Sequence, residues 1–283
     1  LPGSSARRTS MLIDSHCHFD ATAFDADRAA AYARAVAAGV AVQIVPAVTA
    51  ASWPTLKQVC ADYPGLYPAY GLHPMFIAQH RPEHLHSLRV WIEREAPVAI
   101  GECGLDFFVD GLDAQTQQAS FDAQLRLARD FDLPVIVHAR RAVDAVIASI
   151  RNVGGLRGVV HSFPGSQEQA MQLHQLGFLL GIGGPLTFAR ANRLRKLVAH
   201  MPLEQLLLET DAPDQPGALH RGQRNEPAHL LEVLAVVASL RNTSHEVIAA
   251  ATTANAQRLF KLPVLASATS QAPCLPPQTQ TPQ

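Results

Sequence analysis

Eight apolar runs divide this chain, and each is followed by a stretch with helical spacing. The first begins at Leu12; the others span 42–48, 66–74, 98–106, 134–140, 157–163, 178–184 and 206–213. Helical patterns occupy 21–38, 52–62, 82–95, 115–130, 142–151, 166–176, 191–199, 227–240 and 244–260. Runs that are apolar throughout, rather than alternating, belong to strands buried on both faces, as in a parallel sheet covered by its crossover helices. Eight such units fit a closed (β/α)8 TIM barrel better than an open doubly wound sheet. No Gly-x-Gly-x-x-Gly follows the first run, which removes the usual sign of a dinucleotide-binding fold. A length of 283 residues suits one large barrel or two ordinary domains. With 48% hydrophobic and 17% charged residues, there is apolar material for a sizeable core. Local signals mark some boundaries: Gly39 stops the first helical stretch, and Ser52 is a candidate N-cap for the second, with Pro54 in its first turn. The expected organisation is a disordered extension over 1–10, one barrel domain over 11–262 and a disordered Pro/Gln-rich tail over 263–283.

A formal net charge of −1 leaves no global basic field, so any contact with a polyanion must be local. Cys17, Cys60, Cys103 and Cys274 are scattered without a Cys-x-x-Cys spacing. That disfavours a disulfide framework or a zinc ribbon and fits a reducing cytoplasm. No apolar run approaches the roughly 18 residues of a membrane-spanning helix. The first ten residues are polar and lack the apolar centre of a signal peptide.

Chemistry is carried by what ends the apolar runs. His16 and His18 follow the first run two residues apart, a spacing that puts both imidazoles on one face of an extended chain and turns Cys17 away. Glu102 lies near the end of the fourth run, His138 of the fifth and His161 of the sixth; Asp211 ends the eighth. In a barrel of this type the active site lies at the carboxyl ends of the strands. Each of these residues follows an apolar run that would bury it, which requires a polar partner. Four histidines and two carboxylates exceed the needs of one tetrahedral zinc and suit a pair of ions about 3.5–4 Å apart sharing a carboxylate. Glu102, central in strand order, is the best bridge. The expected division is His16, His18 and Asp211 on one ion, His138 and His161 on the other. Mixed nitrogen and oxygen donors admit Zn²⁺, Mn²⁺, Co²⁺, Ni²⁺ or Mg²⁺.

These residues carry a resemblance. Asp14-Ser15-His16-Cys17-His18, Gly71-Leu72-His73-Pro74, Gly101-Glu102-Cys103-Gly104-Leu105-Asp106, His138-Ala139-Arg140 and His161-Ser162-Phe163-Pro164-Gly165 follow one another in order. Leu208-Glu209-Thr210-Asp211-Ala212-Pro213, Asn225-Glu226-Pro227 and the segment 255–260 complete the set. The chain resembles the TatD family of metal-dependent hydrolases, known as TatD-type deoxyribonucleases, within the amidohydrolase-like barrels. It is similar to the branch that keeps the His-x-His pair. The resemblance implies metal-dependent hydrolysis of phosphoester bonds and places metal ligands on His16, His18, Glu102, His138, His161 and Asp211.

The expected reaction is attack of activated water on phosphorus, with Asp211 also taking the water's proton and Arg140 and His73 neutralising developing charge. His73 otherwise reads as a packed loop histidine, and Arg140 as an ordinary ion-pair partner. Asp106 shares a face with Glu102, and Glu209 with Asp211; each either orients a ligand or is a buried structural carboxylate. The thiols of Cys17 and Cys103 are expected to be buried and inert. His80, His84, His86, His174, His200, His220, His229 and His245 are expected at the surface. The substrate is expected to be DNA or a small phosphoester, with no obligate protein partner. Arg190, Arg193, Arg195, Lys196, Arg221 and Arg224 follow the last two strands and could rim the same mouth or form solvated helix faces. No aromatic ladder indicates a long single-strand channel. The alternative activity is hydrolysis of an amide, lactone or other ester on the same metals, since neither fold nor ligands discriminate between them. A catalytically silent binding module is disfavoured by the intact ligand positions.

Overall fold

The apolar runs form eight parallel strands hydrogen-bonded in chain order, in a computed structural model that describes residues 11–263. They are β1 (Leu12–Asp14), β2 (Val40–Pro46), β3 (Leu66–Tyr70), β4 (Ala99–Asp106), β5 (Val135–Arg140), β6 (Gly158–Val160), β7 (Phe178–Ile182) and β8 (Leu206–Leu208). Helices α1 (Arg28–Ala37), α2 (Trp53–Asp62), α3 (Pro82–Glu95), α4 (Ala114–Asp130), α5 (Val143–Val153), α6 (Gln167–Gln175) and α7 (Asn192–His200) alternate with the strands. After β8 come α8 (Leu230–Leu240) and α9 (His245–Phe260). The architecture is the expected single (β/α)8 barrel. The expected extension over 1–10 and the tail beyond 263, with Cys274, lie outside the described residues.

The barrel closes by loop backbone rather than by strand ladder. Beyond β1 and β8, Ser15 N donates to Leu208 O at 3.0 Å, Asp211 N to His16 O at 2.9 Å and His18 N to Ala212 O at 2.8 Å. This is why the eighth apolar run is only three residues of strand: Asp211, at φ +56, has already turned out of extended geometry. Two other expectations shift. The pattern over 21–38 breaks into a short turn at Thr22–Phe24 and then α1, because the Arg28 side chain gathers the carbonyls of Phe19, Asp20 and Ala21. Ser52 precedes α2 but does not cap it; its hydroxyl donates back to Thr49 O at 2.9 Å.

Strand alternation sorts the core into two layers. On β5, Val135 and Val137 face the helices, while Ile136 faces the barrel interior and His138 follows on that inner side. The interior is filled by Ile13, Val42, Ile44, Ala69, Ala99, Ile136, Val159 and Leu207. The end of α9 packs against this inner set through Ala256, Leu259 and Phe260, joined by Leu262 just beyond the helix. Asn255 fixes α9 by donating to Leu203 O and Leu206 O at 2.8 and 2.9 Å. One end of the barrel is thereby apolar and closed, which leaves the polar chemistry to the other.

β4 departs from regular alternation. Its register against β5 shifts between Ile100 and Cys103, so both of those residues face the helices although three positions separate them. Glu102 lies in this irregular step and reaches the interior. Gly101, at φ +154, lies there against Ile136, and a Cβ would come within 2.7 Å of the Ile136 Cβ.

Candidate metal centre

The strand-end residues converge at the carboxyl mouth of the barrel. His18, His73, Glu102, His138, His161 and Asp211 line a cavity of about 850 Å³, and His16 lies fully buried behind it. Glu102 is the common neighbour. Its Oε2 lies 3.1 Å from His16 Nε2 and 3.3 Å from His18 Nε2. Its Oε1 lies 2.9 Å from His161 Nε2, 3.0 Å from His138 Nδ1 and 2.8 Å from His73 Nε2. Asp211 Oδ1 joins the first group, 3.4 Å from His16 Nε2 and 3.6 Å from His18 Nε2. The two oxygens of one buried carboxylate therefore collect two different sets of nitrogens.

Several outer contacts orient these rings. His18 Nδ1 is 3.1 Å from Pro46 O, which makes Nδ1 a donor and leaves Nε2 facing the cluster. His138 Nε2 is 2.9 Å from Asp106 Oδ2, which leaves Nδ1 facing Glu102. Asp106 in turn is held by Gln117, whose amide spans its backbone N and O at 2.7 and 3.0 Å. Glu209 lies 3.7 Å from His161 Nδ1 and accepts from Ser162 N at 2.5 Å. Gly181 on β7 leaves the room for it, since a Cβ there would collide with the Glu209 carboxylate. Of the two carboxylates read either as orienters or as structural groups, Asp106 thus makes a direct bond to a ring, and Glu209 flanks one.

The electrostatics follow from burial and crowding. Burial opposes ionisation of Glu102, but the surrounding histidines outweigh it and hold the carboxyl well below its usual range. Burial, together with the His161 ring stacked 3.9 Å away, drives His16 well below the ordinary histidine value. For His18, burial is outweighed by contact with Glu102, and the pKa rises to about 9. Burial pushes Asp211 up to about 6. The donor set fits a divalent cation. His16 Nε2 and His18 Nε2 lie 3.3 Å apart and both near Glu102 Oε2, yet that buried oxygen receives no aligned hydrogen bond. Ring nitrogens converging on a carboxylate oxygen are what a cation between them would satisfy, taking the place of the second ring proton that Glu102 favours on His18. Among the described residues, three groupings have ligand spacing: His16, His18 and Glu102; His73, Glu102 and His138; and His16, His161 and Glu209.

Some expectations are revised. His73 was expected to serve substrate phosphate, but its Nδ1 accepts from Met75 N at 3.1 Å, so its single ring proton sits on Nε2 and is engaged by Glu102. Arg140 has no carboxylate partner among the described residues; it lines the cavity and lies over the Phe108 ring at 3.7 Å. Of the basic residues expected at the rim, only Arg193 lines the cavity. Arg224 is tied to Asp27 and Glu226 at 2.7 Å each, and Arg195 to Leu186 O at 3.1 Å. His80, His84, His220 and His229 are half-buried rather than superficial; His80 bonds His73 O at 2.8 Å, and His220 stacks on His229 at 3.5 Å. Cys17 and Cys103 are buried in the layer facing the helices, where burial raises both thiols.

The sequence assigned no role to Asp14, which it showed only as part of a motif, and singled out none of Gln117, Gln124 and Gln215. Asp14, fully buried, accepts from Thr210 N at 3.0 Å and His16 N at 3.2 Å; burial raises its pKa to about 8. Gln124 clamps the Leu72 backbone beside His73 at 2.8 and 3.1 Å, and Gln215 donates to Asp211 Oδ2 at 2.5 Å. The available signal was a polar residue on the buried face of a helix, as at Gln117 and Gln124.

A (β/α)8 barrel whose mouth gathers buried imidazoles around a shared carboxylate defines the class of metal-dependent barrel hydrolases. The profile of the family described as TatD related DNase matches residues 13–261, and the chain belongs to that family. It is 42% identical over 255 residues to the uncharacterized metal-dependent hydrolase YjjV of Escherichia coli K12, covering 89% of this chain and 98% of that protein. It is 33% identical over 264 residues to the 3'-5' ssDNA/RNA exonuclease TatD of Klebsiella pneumoniae, covering 89% and 99%. The crystal structure of E. coli YjjV superposes with a TM-score of 0.85 at 40% identity, covering 90% of this chain and all of that one. The chain is a metal-dependent hydrolase. No helix among the described residues is long and apolar enough to cross a membrane.

Proposed function

We propose that this hydrolase cleaves phosphodiester bonds in DNA, and that the residues gathered around Glu102 would hold two divalent ions for that reaction. The observation that carries the reading is the division of nitrogens between the two Glu102 oxygens. His16, His18 and Asp211 would hold one ion, and His138 and His161 would hold the other. When bound, the ions supply Lewis acidity, lowering the pKa of water toward neutrality and offsetting charge on the phosphoryl oxygens. Asp211 Oδ1 accepts the proton lost by the attacking water, while Gln215 holds Oδ2 and keeps Oδ1 turned to the cluster. His73 donates to Glu102 and fixes the rotation of the shared carboxylate. Arg140 pairs with a phosphate oxygen through its planar fork, which no carboxylate among the described residues occupies. Water thus attacks phosphorus as the P–O bond to the leaving group breaks, the proton taken by Asp211 passes to the departing alkoxide, which leaves as an alcohol, and a phosphomonoester remains. The exonuclease activity of the Klebsiella relative supports DNA as substrate. The native ion is one of Zn²⁺, Mn²⁺, Co²⁺, Ni²⁺ or Mg²⁺, and the cysteine pattern favours a cytoplasmic protein. The test is a screen of metal-loaded and chelated protein against a generic phosphodiester, single-stranded DNA, amides, lactones and carboxylic esters. Metal-dependent turnover of the phosphodiesters is expected; turnover confined to carbonyl substrates would overturn the reading.

A further inference from the structure

A second groove opens beside the catalytic cavity and shares its wall. Arg140, Arg193, Pro164 and Gly165 line both spaces, so the two are continuous. The groove, about 640 Å³, runs on past Phe107, Phe108 and Arg141. Backbone pairing fixes its walls: Phe107 N donates to Arg140 O at 2.9 Å, which sets the loop after β4 beside the end of β5. Asp106 Oδ1 accepts from Phe108 N and Val109 N at 2.9 and 3.1 Å, while its other oxygen holds His138. One carboxylate therefore anchors both the groove wall and a ring of the metal cluster.

The groove surface combines two features that rarely coincide by packing alone. Phe107 and Phe108 are 40% and 42% exposed, although large aromatic rings normally bury. Two guanidinium groups lie over the Phe108 ring, Arg140 at 3.7 Å and Arg141 at 4.5 Å. Neither arginine has a carboxylate partner among the described residues. Arg141 adopts φ +54, a conformation unfavourable for a side chain of its size. The groove's one carboxylate, Asp144, accepts from Gln169 Nε2 at 2.7 Å. Aromatic faces and guanidinium planes both stack on bases, and unpaired guanidinium pairs with phosphate.

We propose that this groove is a nucleotide subsite that takes the residue adjoining the scissile phosphodiester of a single-stranded polynucleotide, its base stacked on the Phe108–arginine platform and its phosphate on Arg141. Arg140, common to both spaces, marks the passage from the scissile phosphate to that next nucleotide. A duplex keeps its bases stacked on one another and offers no free face to the platform, so single strands are preferred. The inference rests on the phosphodiesterase reading for its register, but its test is separate. Binding of a labelled phosphorothioate thymidine tetramer to the metal-loaded protein is measured by fluorescence anisotropy. Arg141→Ala and Phe108→Leu each weaken binding by about tenfold, the size expected for one stacked or paired nucleotide, and Phe108→Trp binds at least as tightly as wild type. Both side chains are exposed, so the variants fold. Unchanged binding in Arg141→Ala and Phe108→Leu, leucine equal to tryptophan at 108, or a duplex bound as tightly as the single strand would overturn the subsite. Hydrolysis of bis(p-nitrophenyl) phosphate is assayed in parallel on wild type. If that fails while tetramer binding still depends on Arg141 and Phe108, the phosphodiesterase reading falls and the subsite stands.

Discussion

The two oxygens of Glu102 face differently built surroundings. On the Oε2 side, His16 and His18 come from the loop after β1 and Asp211 from the loop after β8, and the backbone bonds between those loops also close the barrel. Support there runs largely through main chain: Pro46 O holds His18, and the Asp14 carboxylate holds the Thr210 and His16 backbone, with Gln215 the side chain that bonds a ligand-type residue directly, at Asp211 Oδ2. On the Oε1 side, support is side chain. Asp106 bonds His138, Gln117 bonds the Asp106 backbone, and Glu209 stands beside His161. A ring held by a carboxylate is a stronger electron donor than one held by a carbonyl. The Oε1 side is therefore tuned by substitutable groups, whereas the Oε2 side is tied to closure of the fold.

The largest expected effect removes what the halves share. Glu102→Ala should reduce phosphodiester turnover by at least about a thousandfold, more than the loss of any single-side ligand. The barrel should survive, since residues at this mouth serve function more than stability. Rates, metal content and thermal melts of the metal-free proteins check this; near-wild-type turnover would remove Glu102 from the shared position.

Next come substitutions that separate the sides. Asp106→Asn should weaken one equivalent of metal by about 10- to 100-fold and leave the other unchanged, because it touches only His138 among the rings. Metal titration by calorimetry reads the two equivalents. Gln117→Leu acts one step further out; it should cost about 1–3 kcal/mol of stability, from the buried Asp106 backbone groups it leaves unpaired, with a smaller loss on the Oε1 side. Chemical denaturation measures the first and titration the second.

At low pH the smallest effect belongs to the Oε2 side, and it grows with pH. Asp14 has a pKa of about 8 against an ordinary 3.8, the result of burial. A carboxyl whose pKa is raised by folding stabilises the fold fully below its unfolded value, and that contribution fades as pH rises from about 4 to about 8. Asp14→Asn lacks this dependence. It should lie within about 1 kcal/mol of wild type at low pH and gain on wild type as pH rises through that window, read as melting temperatures of metal-free protein. Parallel profiles would show that Asp14 is already ionised in the fold.

The legibility of the two sides differs for the same physical reason. The convergence of His16, His18, Glu102, His138, His161 and Asp211 was readable because each ends an apolar run, and run ends share one face of a barrel. The chain brings all six within one cluster, and the eight strands fall on the eight runs. Gln117 and Gln124 carried a signal as polar residues on the buried face of α4, but their role was not legible, because the loop each clamps is set by the tertiary fold. Phe107 and Phe108 lie just past the end of the fourth run and carried no assignment, since nothing local says that the chain turns outward there. Closure of the seam through 14–18 and 208–212 is a tertiary event with no periodic signature, and it shortened β1 and β8.

The most direct test is anomalous diffraction at the metal edge from crystals of metal-saturated wild-type protein. Two peaks are predicted, one contacting His16, His18 and Asp211, the other His138 and His161, with Glu102 contacting both through separate oxygens. A single peak, or a second that Glu102 does not touch, would contradict the account.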